Sequence, residues 1–237
     1  MRRWGILAGV SFLILTGPTC SLTGEAADVL MYGSITDYGV VQRAEPSPSS
    51  SVLGTFDEAN SYRELLVTGQ TTAPDGGLWY RVESDIFGEG WMDEKSVDVA
   101  APETALQRLD LEVRFACGIT PALAEKKLGA PKRVDKASFD IPEYETVVET
   151  MTATYDGCEL VFWDGILQSA AVTGETLSFG ALTVGGDVQD LRGLLGEPTE
   201  KKGREWFFAD EGMELLVTLD KAGKRIESFR SAMIMYE

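Results

Sequence analysis

The chain has 237 residues, 44% of them hydrophobic, with 21 Lys and Arg against 38 Asp and Glu and no histidine, for a formal charge of −17. Removing residues 1–19 takes away two arginines and no acid and leaves −19, so nucleic acid, teichoic acid and anionic lipid headgroups are disfavoured as electrostatic ligands. The missing histidine removes the commonest general base and metal ligand; there is also no Gly-x-Ser-x-Gly elbow, no phosphate-cradling glycine loop with Lys and no Cys-x-x-Cys. No metal or cofactor is expected, and the chain reads as non-catalytic. Carboxylate pairs such as Glu143 with Glu145 and Asp210 with Glu211 are what so acidic a composition produces, and most of its acids must simply be solvated.

The N-terminus sets the address. Arg2 and Arg3 form a short positive region, Trp4 to Leu15 an apolar run of twelve, and Thr16-Gly17-Pro18-Thr19-Cys20 a small-residue exit. This is a secretory signal over residues 1–20, too short to span a bilayer as a mature helix. Three readings stand: acylation of Cys20 as in a bacterial lipoprotein, cleavage near Gly24 to Ala26, or retention as an N-terminal anchor. All three place the folded part outside the cytoplasm, in the cell envelope, with membrane contact only through the N-terminus. Gly17-Pro18-Thr19 departs from the usual lipoprotein pattern before the cysteine. Three cysteines in an exported chain leave one unpaired; acylation of Cys20 would account for it, leaving Cys117 and Cys158 to form a disulfide or to pack as small buried hydrophobes.

The next segment, residues 28–99, reads as five or six short strands without a helix. Gly39 to Arg43 is an extended start, Ala44 to Ser51 a Ser/Pro loop, and Val52 to Phe56, Tyr62 to Val67, Leu78 to Val82 and Gly88 to Met92 are strands. Alternation places Trp79 and Arg81 on one face and Tyr80 and Val82 on the other. This pattern, from Val41-Gln42-Arg43 through Val52-Leu53-Gly54 and Trp79-Tyr80-Arg81-Val82 to Gly88-Glu89-Gly90-Trp91, resembles the bacterial SH3-like domain. The resemblance implies a small β-barrel serving as a binding or spacer module for peptidoglycan or a peptide-like ligand, with Trp79, Tyr80 and Trp91 as a stacking platform and Arg43 beside them. Residues 57–60 and the longer loop after them depart from the family pattern.

After a break at Ala100 to Glu103 the composition mixes helix and strand, and residues 104–237 contain a segment written twice. Gly118 to Pro131 and Gly185 to Pro198 both place Gly, then Leu-Gly-x-Pro, at one internal spacing. In the first copy, about 109–174, Val113 to Ala116 reads as a strand. Thr120 caps a helix with Pro121 in its first turn, and Gly129 and Pro131 end it. In the second, about 176–235, Asp187 caps and Gly196 and Pro198 end the helix. Strands at 151–155, 158–163 and 167–172 answer to strands at 205–208, 213–219 and 225–229, with Asp156-Gly157 and Asp164-Gly165 as hairpin turns. One short helix on three strands buries too little to stand alone, so the copies are expected to share a sheet or pack face to face.

The repeated motif resembles the SmpA/BamE-type envelope-lipoprotein fold, which occurs in tandem in beta-lactamase-inhibitor-like proteins. It implies protein–protein interaction through a sheet face or strand edge. The expected fold class is therefore mainly β with α+β: a small SH3-like β-barrel, then a tandem α-βββ repeat domain sharing an antiparallel sheet. The expected function is a non-catalytic exported envelope protein, its SH3-like domain holding peptidoglycan or a peptide or protein ligand and its duplicated domain an envelope protein; the alternative is an inhibitor or sensor that binds an envelope enzyme through the duplicated sheet.

Overall fold

The computed structural model describes residues 30–58, 65–141, 146–179, 182–210 and 212–233. The signal, Cys20 and the Glu143 and Glu145 carboxylates lie outside the described residues. Among the described residues no helix is long and apolar enough to cross a membrane. The chain is mainly β, with antiparallel sheets and three helices among the described residues.

Seven strands make the first sheet: β1 (Met31–Ile35), β2 (Val41–Arg43), β3 (Val52–Thr55), β4 (Leu65–Thr72), β5 (Leu78–Ser84), β6 (Gly88–Asp93) and β7 (Val97–Ala100). Their order is β3-β2-β6-β5-β4-β1-β7, and the two end strands do not pair with each other. The expected closed barrel is thus an open sheet. The physical reason is β1, which pairs with β4 and then with β7 and so extends that side instead of sealing it. Phe56, just after β3, and Val97 of β7 still reach one core with Leu65, Val67, Val82 and Met92, so the sheet wraps a core without joining its edges.

A second correction concerns Val113 to Ala116, which belong to helix α1 (Ala105–Cys117) and not to a strand. Thr104 and Gln107 form a reciprocal capping box, and Leu106, Leu109, Val113 and Cys117 recur at helical spacing along one buried stripe. Four residues that alternate locally are outweighed by thirteen that obey the helical period. Leu111 projects from the opposite side of α1 into a small cluster with Leu66 of β4 and with Ile119 and Leu123, and the Tyr32 hydroxyl donates to the Gln107 carbonyl at 3.2 Å. The helix is therefore packed between the two sheets.

Helices α2 (Pro121–Leu128) and α3 (Val188–Leu195) open the two copies. The second sheet is formed by β8 (Arg133–Ile141), β9 (Thr146–Thr154), β10 (Cys158–Trp163), β11 (Ile166–Val172), β14 (Glu200–Lys202), β15 (Glu205–Asp210), β16 (Met213–Leu219) and β17 (Ile226–Met233), after the short hairpin β12 (Ser178–Phe179) and β13 (Leu182–Thr183). Its order is β14-β15-β16-β17-β11-β10-β9-β8. Each copy supplies four consecutive strands, and the halves join antiparallel at β11 and β17 through Ser169–Ala232, Ala170–Ser231, Ala171–Arg230 and Val172–Phe229. Even the tie between helix and sheet repeats: Leu167 N donates to Ile119 O at 2.9 Å, and Ile226 N donates to Gly186 O at 3.0 Å.

Candidate functional site

Alternation along the second sheet divides it into two faces. One face carries Leu160, Phe162, Leu167, Ala170, Val172, Phe208, Leu215, Val217 and Phe229, which with Leu106, Leu109, Val113, Val188 and Leu191 make the main core. The other face carries Val161 and Trp163 of β10, Ser169 and Ala171 of β11, Ala232 of β17, Leu216 of β16 and Phe207 of β15. These residues are half-buried and belong to no core cluster among the described residues.

On this open face the Phe139 ring of β8 meets Trp163 edge-on at 5.1 Å between centroids. Val148, the β9 partner of Phe139, is only 6% exposed although it lies outside the core clusters. Charge lies both across the middle of this face and at its far edge: Arg230, in register between Leu216 and Ala171, faces Glu214 at 3.9 Å, and Lys202 of β14 lies over the Phe207 ring at 5.1 Å. Apart from Arg230, this face carries small residues along the central seam, Ser169, Ala171 and Ala232, with larger apolar side chains on either side. The sequence held a signal for it. Leu160-Val161-Phe162-Trp163 and Leu215-Leu216-Val217 are apolar at both parities, as strands with two apolar faces are.

Beneath the covered face lies an ionic network. Asp110 accepts from Arg114 Nε at 2.6 Å and from the Ser231 hydroxyl at 3.4 Å, and Asp110 and Arg114 are both almost fully buried. Burial holds the Asp110 carboxyl above the usual carboxylate range, while the Arg114 guanidinium opposes that rise. Ser231 sits on β17 next to the seam, so this network pins α1 across both copies. Thr104, the helix cap, donates its hydroxyl to Asp210 at the end of β15. Cys117 and Cys158 are free thiols, both buried in the main core.

In the first sheet the four residues expected to form a ligand platform separate. Arg43 and Trp91 are direct cross-strand partners, and Arg81 flanks Trp91 from the other side. Trp79 shares that face but is 5% exposed, and Tyr80 points the other way, against the core of the first sheet. Arg43 donates to the Ser50 carbonyl at 2.7 Å and so clamps the Ser/Pro loop; Arg81 donates to Thr68 Oγ1 at 3.1 Å and to the Thr68 carbonyl at 3.0 Å, across the bulge in β4. Trp91, half-buried, remains the one aromatic of the set on this face with accessible ring surface.

No protein-family model matches the chain, and no curated protein matches it. Among solved structures it is similar to an extracellular protein containing an SCP domain from Bacillus anthracis str. Ames, with 13% identity and a TM-score of 0.38 over 59% of this chain and 48% of that one. The match thus spans about half the length of that protein. A likeness this distant carries no functional argument.

Proposed function

We propose that the protein is a non-catalytic, exported envelope protein that docks another protein on the open face of its eight-stranded sheet. The observation that carries this reading is the set of exposed or half-buried apolar side chains, Phe139, Trp163 and Val161 on one side of the seam and Leu216 and Phe207 on the other, which no core cluster absorbs. Large apolar side chains left on an uncovered sheet face are a usual mark of a protein–protein contact. The acidic remainder of the surface favours a partner that is neutral or basic around its own contact patch. The resemblance of residues 104–237 to tandem SmpA/BamE-type repeats supports the same use. The SH3-like first unit is the auxiliary end, holding peptidoglycan or a peptide through the surface around Trp91, and acylation at Cys20 would tether both units to a membrane.

The test is a pull-down of residues 21–237 against detergent-solubilised envelope proteins and, in parallel, purified peptidoglycan. One envelope protein enriched by the unaltered chain and by Trp91→Ala, but lost with Leu216→Glu, is expected. Retention on peptidoglycan that Trp91→Ala abolishes, with no protein dependent on Leu216, would move the functional end to the first sheet.

A further inference from the structure

The internal duplication gives the molecule its own control. Aligning Pro131 with Pro198 sets β8 against β14, and the two strands differ in length by a factor of three: nine residues against three. In the second copy the hairpin closes after the pair Lys202–Glu205. In the first it continues through Lys136–Met151 to Ile141–Thr146, although β10 pairs with β9 no further than Trp163–Thr150. The extension adds nothing to the core clusters: no residue of β8 enters one and all but its last are exposed, although Phe139 meets Trp163 on the open face. Its Phe139 and Val134 side chains are 39% and 43% exposed, and Val147 of the paired strand 56%. The fold shows in its own second copy that three residues suffice here, so the added length serves something outside the fold.

β8 is also the edge of the sheet, an unpaired backbone about 30 Å long. We infer that this edge pairs antiparallel with β8 of a second copy, with the twofold axis at Ser138. Three observations identify the occupant. A twofold axis perpendicular to the sheet places residues of equal parity opposite one another, and about Ser138 it sets Lys136 against the partner's Asp140 and Asp140 against the partner's Lys136. Among the described residues neither side chain has an ion-pair partner within its own chain. The same axis lays Phe139 beside the partner's Ala137, leaving room for the ring, and opposes no two like charges. Shifting the register by one step so that the axis falls on Ala137 loses both ion pairs, and a further step to Lys136 opposes two lysines. Finally, the seam at β11 and β17 already joins two copies of this unit by antiparallel edge pairing within one chain. Pairing at β8 repeats that geometry between chains and makes the two open faces continuous.

The inference rests on the strand edge and stands independently of what docks on the open face. Residues 21–237, which contain every described residue, are examined by sedimentation across a concentration series, together with Lys136→Asp, Asp140→Lys and the double variant carrying both. All substituted positions are solvent-exposed, and circular dichroism checks that each variant folds. A monomer–dimer equilibrium is expected, weakened about tenfold or more in each single variant, where two symmetric attractions become repulsions, and restored in the double variant. Ser138→Cys, on the axis, is expected to form a disulfide-linked dimer on mild oxidation much faster than Val134→Cys. A monomer at the highest soluble concentration, a dimer indifferent to the charge reversals, or equal cross-linking at both positions overturns the inference.

Discussion

Lys127 Nζ, on the last turn of α2, lies 2.7 Å from Glu83 Oε1 on β5, and Glu83 is only 2% exposed. The same ammonium donates to the Phe115 carbonyl and sits 4.4 Å from the centre of the Phe115 ring. A buried carboxylate of the first sheet is thus neutralised from a helix of the duplicated unit, with the exposed pair Lys126–Glu89 beside it. Lys127→Met strands that charge. It is expected to lower stability by about 3 kcal/mol and to split thermal unfolding into two calorimetric transitions as the units uncouple. Lys127→Met combined with Glu83→Gln is expected to recover most of the loss. A single variant that unfolds like the unaltered protein removes this pair from the set of contacts that hold the units together.

The buried acids also set the pH response. Burial raises the carboxyls of Glu83, Asp110 and Glu112, opposed by Lys127, Arg114 and Arg108 respectively. A carboxyl raised on folding holds its proton longer in the native state. Its contribution is therefore fully present below its unfolded value and is lost as pH rises through the folded one. Relief of net negative charge acts in the same direction. The melting temperature is expected to rise as pH falls from 7.5 toward the upper edge of the carboxylate range, and Glu83→Gln is expected to flatten the rise. Asp220, lowered mainly by backbone donation from Lys224, works the other way at more acidic pH. A melting temperature that falls steadily from neutrality would contradict the assignment.

Thiol chemistry gives a separate readout. Burial, with Cys158 adding to it, pushes the Cys117 thiol up to about 12, and burial pushes Cys158 up to about 11. At pH 8 no more than about one thiol in a thousand is ionised at either position. Native protein lacking residues 1–20 is expected to resist iodoacetamide, and unfolded protein is expected to gain two adducts by intact mass without reductant. An unfolded protein that gains none holds the Cys117–Cys158 bond.

Legibility in the sequence followed the reach of each signal. The helix caps Thr120 and Asp187, the stops at Gly129 and Gly196, and the later strands of each copy are set by residues within a few positions, and they lie where local chemistry puts them. Helix α1 was obscured because its first turn follows a linker and its buried stripe includes Asp110 and Arg114, which read as surface until they are seen to neutralise each other. The platform around Trp91 was overdrawn: sequence shows that Trp79 and Tyr80 are aromatic but not that the first is covered and the second turned inward. The open face and the long β8 arm were harder still, since they follow from which strands become neighbours across the duplication and from what no element covers.

The repeated glycines offer the sharpest comparison between the copies. Gly118 and Gly185 have φ of 87° and 84°, and Gly129 and Gly196 have φ of 83° and 78°, so all four occupy backbone conformations that side chains disfavour. Their surroundings differ. A Cβ on Gly118 would lie 2.5 Å from Ala124 N, a backbone atom of α2, whereas one on Gly129 meets nothing within 4 Å and one on Gly185 meets only the Glu175 carboxylate, Oε1 at 3.6 Å and Cδ at 3.9 Å. Gly129→Ala and Gly185→Ala are expected to show backbone strain alone, about 1–2 kcal/mol. Gly118→Ala adds a collision between the residue that opens the first copy and the helix it introduces, and its loss should clearly exceed both. Chemical denaturation of the three variants measures the order. If Gly118→Ala were as mild as Gly129→Ala, α2 would have to be free to slide on the sheet, which the Leu167–Ile119 hydrogen bond and the packing of Ala124 in the main core oppose.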